Sequence, residues 1–78
     1  MRVHVKLFSR FRQLLPEEAR GEADVELPEG ATVARLLDHL GVQGRVQIVS
    51  VNDRRESDPL CPLQDGDRVR VFPFGVGG

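Results

Sequence analysis

One amphipathic stripe constrains the fold of this 78-residue chain more than any other feature. The stripe has the i, i+3, i+4, i+7 spacing of a helix with one apolar face, and its members are Val33, Leu36, Leu37 and Leu40. Thr32 is the candidate N-cap, and Gly41 is the candidate stop. A chain this short has room for one small core. The helix is therefore expected to pack on one face of a sheet and to cover most of it.

Most other apolar residues alternate with polar ones, as in strands with one buried face. The predicted strands cover residues 2–7, 22–27, 46–51 and 68–72. The third of these is the most uniformly apolar and is predicted to be central. A loop is expected at 52–58, and residues 59–63 are expected to add at most a short irregular strand because Pro59 and Pro62 cannot donate ladder hydrogen bonds.

A short helix is expected after the first strand. Ser9 is its candidate N-cap, Phe11, Leu14 and Leu15 fall on one face, and Pro16 discourages continuation. This order of elements predicts an α+β chain of the β-grasp, or ubiquitin-like, fold.

The predicted β-grasp has a mixed sheet of four to five strands packed on one main helix plus a short helix. The domain is expected to cover residues 1–74, with a flexible diglycine tail at 75–78.

Composition excludes several classes of function. Lys and Arg number 11 against 12 Asp and Glu, so the net charge of −1 predicts neither a nucleic-acid nor a membrane partner. The single cysteine, Cys61, excludes an intrachain disulfide and is expected to be a small buried hydrophobe; the alternative is a persulfide carrier. His4 and His39 lack a third ligand, so no metal site is expected. With no leader or membrane-length apolar run, a reduced, cytoplasmic protein is expected.

The residues Gly77 and Gly78 suggest a reactive tail. Two glycines can follow a channel too narrow for any side chain, and the carboxylate they carry is sterically bare. A carboxylate is a poor electrophile until it is activated as an acyl-adenylate, which would place the chemistry at Gly78. From Pro73 to Gly78 an extended chain spans about 20 Å. The alternative is a frayed end without function.

Strand phase also predicts a protein-binding surface. If Val69 and Val71 face the helix, the residues between and after them share an exposed face with Arg2, His4 and Lys6. Aromatic rings beside cations are typical of a docking patch. The predicted partner-binding residues, including those that lead into the tail, are Arg68, Arg70, Phe72, Pro73, Phe74, Gly75 and Val76. The alternative is that Phe72 is covered by its own loop.

The chain resembles the MoaD/ThiS-type sulfur-carrier family over essentially its whole length, above all the small subunit of molybdopterin synthase. The segments that carry the resemblance are Leu-Pro-Glu-Gly-Ala-Thr-Val at 27–33, Val-Asn at 51–52, Pro-Leu-Gln-Asp-Gly-Asp at 62–67, Phe-Pro at 72–73 and the terminal diglycine. The chain departs from the family at Asp53, where many members have glycine and a different turn is expected here. It also has Phe74 where molybdopterin-synthase subunits usually have a second proline.

The resemblance implies a protein that is not catalytic alone and binds no cofactor. A ubiquitin-activating-like adenylating enzyme would use Mg·ATP to adenylate Gly78, and a persulfide sulfur-donor protein would convert it to a thiocarboxylate. The tail would then enter the large subunit of molybdopterin synthase, in a heterotetramer, and give its sulfur to the pyranopterin precursor. Gly77, which has no side chain, would let the tail pass through the narrow channel of its partner. Three alternatives stay open: a carrier for thiamine, tungsten-cofactor or tRNA thiolation pathways, a ubiquitin-like protein modifier, and an interaction module with an inert tail.

Overall fold

The computed structural model describes residues 1–42 and 47–73. Its strands are β1 Arg2–Leu7, β2 Glu22–Glu26, β3 Gln47–Val51, β4 Arg54–Glu56 and β5 Arg68–Pro73. One α-helix, α1, spans Val33–Leu40, and two short 3-10 helices span Ser9–Leu14 and Glu17–Ala19. The strands form one sheet in the order β2-β1-β5-β3-β4. β1 and β5 are parallel and the other pairs are antiparallel, so the mixed sheet and the β-grasp architecture are confirmed.

The helix α1 forms as its sequence predicts. The Thr32 side chain accepts a hydrogen bond from the backbone N–H of Arg35, and Gly41 ends the helix at a φ of 83°. The predicted stripe is the buried face of the helix, and Leu36 is fully buried against Val5, Val69 and the rest of the core cluster. One helix therefore covers one face of the sheet.

The loop before α1 is tied to the segment before β5. The N–H groups of Val33 and Ala34, in the first turn of the helix, donate to the carbonyls of Cys61 and Pro59. Thr32 forms an isolated bridge with Pro62. The first-turn donors thus find partners within the chain.

The prediction for the short helix was wrong in detail. It is a 3-10 helix, the residue in the N-cap position is Phe8, and no side chain caps it. Ser9 has a φ of 55° and lies within the helix. Phe11 is buried and Leu15, at the C-cap, packs half-buried against the core, but Leu14 is 41% exposed, so the three predicted residues do not form one buried face.

The predicted positions of two strands were also wrong. β5 is the central strand because it inserts between β1 and β3; β3 lies next to the edge strand β4. A short strand at Arg54–Glu56 lies within the predicted loop, whereas the stretch 59–63 contributes an isolated bridge at Pro62, within the limit that was predicted for it.

The turn between β3 and β4 explains where the short strand begins. Asn52 and Asp53 have φ values of 52° and 71°, so both central residues are left-handed, as in a type I′ hairpin turn. This closes a tight hairpin in which Arg54 pairs with Val51. The expectation of a different turn at Asp53 was therefore wrong: aspartate tolerates the conformation that glycine would adopt.

Candidate functional site

The face of the sheet opposite α1, here called the outer face, carries the predicted docking residues of β5. The parallel register places Arg68 beside His4 and Arg70 beside Lys6. The valines that alternate with these arginines are buried in the core. The predicted strand phase is therefore confirmed: the side chains of Arg68 and Arg70 are 62% and 49% exposed on the same face as β1.

An aromatic patch, made of Phe8, Phe72 and Ile48, lies at the end of the outer face where β5 leads towards residue 74. The rings of Phe8 and Phe72 stack with centroids 4.2 Å apart and planes inclined by 16°. Ile48 pairs with Phe72 across β3 and β5. All three are half-buried, and the Lys6 ammonium lies 5.3 Å from the Phe8 centroid. The patch combines an apolar surface with an adjacent cation, which suits a protein interface.

Phe8 and Ile48 were missed by sequence reasoning. A signal for Phe8 was present: the alternation of Arg2, His4 and Lys6 reaches residue 8 when it is continued by one more step. Phe8 keeps an extended backbone, so it stays in phase with the strand. Phe72 is thus partly covered by another ring of the same patch.

One carboxylate contacts both arginines of β5. Asp53 Oδ2 accepts a hydrogen bond from Arg68 Nη2 at 3.2 Å, and Asp53 Oδ1 lies 3.7 Å from Arg70 Nη1. Because the three side chains are 49–62% exposed, each pair contributes at most about 1 kcal/mol to stability. These contacts organise the charge of the outer face more than they hold the fold together.

A histidine between two carboxylates occupies the β2 side of the outer face. His4 Nε2 lies 2.9 Å from Glu22 Oε1, and His4 Nδ1 lies 2.9 Å from Asp24 Oδ1. The hydrogen bonds to Asp24 and then Glu22 raise the pKa of His4 above its usual 6.5. The same contact lowers the pKa of Glu22. Both ring nitrogens face acceptors, a geometry that favours the imidazolium form.

The outer face is consequently zoned by charge and is not uniformly basic. Arg2 Nε also pairs with a β2 carboxylate, Glu26 Oε1, at 3.0 Å. Each of the three polar residues of β1 thus faces an acidic residue of β2, since Lys6 is paired with Glu22 in the register of the two strands. The cations nearest the aromatic patch are Lys6 and Arg70.

The other predicted tail and docking residues divide into two groups. Pro73 is buried at the end of β5, opposite Gln47, so its ring packs within the chain. The residues that lie outside the described part of the structure are Phe74, Gly75, Val76, Gly77 and Gly78.

Two of the motifs noted in the sequence meet in one hydrogen-bond network. The Asn52 side chain donates to Asp67 Oδ1 and accepts from the backbone N–H of Arg68. Asp65 accepts from the backbone N–H of Arg2. The network fixes the start of β5 against β1 and β3.

Cys61 is poorly suited to sulfur chemistry of its own. It is half-buried, and the neighbouring Glu56 carboxylate raises the pKa of its thiol, which disfavours the nucleophilic thiolate. Within residues 1–42 and 47–73, no group of three His, Cys, Asp or Glu side chains has the arrangement of a metal site. In the same residues, no helix is long and apolar enough to cross a membrane.

Comparison with known proteins decides the family. The model of the ThiS family matches residues 5–78, nearly the whole chain. The chain belongs to the ThiS family. A protein from Pyrococcus furiosus, described as a candidate subunit 1 of molybdopterin converting factor, is 34% identical, with a TM-score of 0.75 over 95% of this chain and 98% of the other. The resemblance to MoaD/ThiS-type sulfur carriers is therefore confirmed.

Two other solved structures share the fold of this ThiS-family chain. SAMP1 from Haloferax volcanii is 20% identical, with a TM-score of 0.76 and full coverage of both chains. A chain from the complex of subunits 1 and 2 of the Helicobacter pylori molybdopterin-converting factor is also 20% identical, with a TM-score of 0.68 and full coverage of both. At this identity both show the ubiquitin-like architecture alone. No curated protein matches the sequence.

Proposed function

We propose that this protein is the small subunit of molybdopterin synthase and carries sulfur as a thiocarboxylate at Gly78. The observation that carries the proposal is the likeness, at 34% identity over 95% of the chain, to a candidate subunit 1 of molybdopterin converting factor. The family match extends through Gly78, so it includes the diglycine.

The chemistry begins with activation of the Gly78 carboxylate. An adenylating enzyme transfers AMP from Mg·ATP to the carboxylate and releases pyrophosphate. The terminal sulfur of a donor persulfide displaces AMP, and a thiol cleaves the resulting S–S bond to leave the thiocarboxylate. Gly77 supplies backbone clearance in the narrow channel that admits the tail. The protein itself needs no bound metal or cofactor for these steps.

The outer face provides docking, and the tail provides the reacting atom. Phe72, with Phe8, would be the apolar anchor, and Arg68 and Arg70 would steer an acidic partner surface towards it. The aromatic patch lies at the end of β5, so docking there holds the start of the tail at the partner. Separate surfaces for recognition and reaction allow two enzymes to use the same tail in turn.

The proposed partners are the adenylating enzyme, a sulfur-donor protein and the large synthase subunit, with which the chain would form a heterotetramer. The Helicobacter pylori relative is present in a complex of subunits 1 and 2. Because activation consumes ATP and the thiocarboxylate is reactive, we place the protein in the cytoplasm.

Sulfur transfer to the pyranopterin precursor tests this function. The thiocarboxylated protein, mixed with the large subunit and the precursor, should yield the dithiolene product, whereas the carboxylate form should yield none. The chain matches the ThiS family over residues 5–78, and the resemblance noted in the sequence leaves the thiamine pathway as the second acceptor to test. Sulfur transfer to a thiazole synthase, with no dithiolene formed, would assign the chain to that pathway instead.

A further inference from the structure

Asp53 differs from the other aspartates near the start of β5 in the groups that its carboxylate contacts. Asp65 and Asp67 accept hydrogen bonds from the backbone N–H groups of Arg2 and Gln64, respectively. Asp58 likewise accepts from a backbone N–H. Such bonds hold loops in place. Within the described chain, the polar contacts of the Asp53 side chain are with the guanidinium groups of Arg68 and Arg70.

The turn does not require a carboxylate at this position. Asp53 has a φ of 71°, where glycine or asparagine is at least as well accommodated. The neighbouring Asn52 side chain makes the structural bonds of the turn, to Asp67 and to the backbone of Arg68. Exposed ion pairs add little stability. The contacts of Asp53 therefore indicate a role in setting the charge of the outer face and not a role in folding.

The effect of Asp53 on that charge is direct. Its oxygens lie 3.2 Å and 3.7 Å from the two arginines, well inside the screening length of roughly 8 Å at physiological salt. An approaching carboxylate must compete with Asp53 for the same guanidinium groups. Lys6 lies beside the Phe8 ring but also faces Glu22 across β1 and β2, so the attraction of the outer face for acidic surfaces depends mainly on the two arginines that Asp53 contacts.

We propose that Asp53 is a positioning and selectivity residue, which holds the guanidinium groups of Arg68 and Arg70 and reduces their attraction for acidic surfaces that lack a pocket for the aromatic patch. This inference rests on the proposed docking role of the outer face. The partner that fits is a protein surface with an apolar pocket rimmed by carboxylates. Asp53 lowers the contribution of charge alone, so that binding depends on filling the pocket.

The test compares Asp53→Asn with Asp38→Asn. Both changes remove one negative charge, but Asp38 is exposed on α1, which packs on the other face of the sheet. Asparagine keeps the size of the side chain and its tolerance for the left-handed turn. The association rate with the large synthase subunit is measured at several salt concentrations, together with the side-chain Nε–Hε resonances of Arg68 and Arg70.

Asp53→Asn should associate with the large subunit about threefold faster at low salt, with a steeper dependence of the rate on ionic strength. It should also be retained longer than the wild type on a polyglutamate resin. Its arginine resonances should move and its thermal midpoint should stay at the wild-type value. Asp38→Asn should match the wild type in both association and resonances. An unchanged salt dependence, or slower association, in Asp53→Asn would overturn the proposal.

Phe72→Ala separates this inference from the proposed function. If Phe72→Ala binds the large subunit as tightly as the wild type, the docking role of the outer face fails. If Phe72→Ala binds weakly but Asp53→Asn behaves like the wild type, the docking role stands and the role of Asp53 fails.

Discussion

Two residues on the outer face, His4 and Phe72, have properties that depend on the side chains they contact. His4 is held at both ring nitrogens by carboxylates of β2, and Phe72 is stacked on Phe8. Both side chains lie where strand alternation predicts, but neither partner was identified from the sequence. Alternation gives the face of a residue; it does not give the register between strands, which decides which side chains meet.

The His4 cluster predicts a pH dependence of stability. The pKa of His4 is raised in the folded state, so its contribution is complete below pH 6.5 and is lost as pH rises through the raised value. Glu22 has a lowered pKa, so its contribution is complete above pH 4.5 and is lost as pH falls through the lowered value.

The contribution of the pair to the free energy of unfolding should therefore be greatest between pH 4.5 and 6.5. Urea unfolding across this range, for the wild type and for a Glu22→Gln, Asp24→Asn double variant, measures it. The double variant should lose the fall in stability above pH 6.5. Parallel curves for the two proteins would contradict the assignment.

Phe72 should act as a binding anchor. Phe72→Ala should weaken binding to the large subunit or the adenylating enzyme by about 1–3 kcal/mol, the range for a buried aromatic at an interface. Leu60→Ala is the control, because Leu60 is 71% exposed and lies outside the outer face. Calorimetric titration gives the affinities. A Phe72→Ala protein with a much lower melting temperature and normal affinity would make Phe72 a core residue.

At the scale of elements, the pattern of buried residues could be predicted wherever periodicity was regular. The stripe of α1 and the alternation of β1 and β5 are both present as predicted, because each places one face against the same core. The position of the short helix was predicted, but its 3-10 type and its cap were not, and β4 was not placed. The form of the short helix and the start of β4 depend on left-handed residues at Ser9, Asn52 and Asp53, which no hydrophobic pattern indicates.

α1 is the element on which the fold depends most. Leu36 is fully buried in the middle of its stripe, and truncating such a leucine costs about 2–5 kcal/mol. A small domain has about 5–15 kcal/mol in total. Leu36→Ala should therefore lose a large part of the stability, and thiocarboxylate formation with it, in chemical denaturation and activation assays.

Leu14→Ala is the matched control for the effect of Leu36→Ala on stability. Leu14 is 41% exposed, so the same truncation should change stability by about 0.5 kcal/mol or less. Equal losses in the two variants would contradict the view that the fold depends on the buried face of α1.

At the scale of the whole molecule, a small domain would support the proposed chemistry, which takes place beyond its last strand. The fold class followed from element order and from the family resemblance, and the exposed face that β1 and β5 share followed from strand alternation. The central position of β5 did not, because the apolar composition of β3 reflects Ile48 on the aromatic patch as well as the core. Apolar content alone cannot distinguish a central strand from one that contributes to a docking surface.

Gly77→Ala should leave the fold intact and block activation or sulfur transfer. The added methyl group would meet a channel shaped for glycine. Melting curves should overlay those of the wild type, while product formation in a reconstituted assay should be lost. Full activity of Gly77→Ala would contradict the narrow-channel argument.

The mass of the intact protein after activation tests the central claim most directly. Incubated with its adenylating enzyme, Mg·ATP and a sulfur donor, the protein should gain about 16 Da, the difference between sulfur and oxygen, at Gly78. A variant without Gly78 should fold normally and show no gain. An unchanged mass for the full chain, or added sulfur on Cys61 in place of Gly78, would contradict the account.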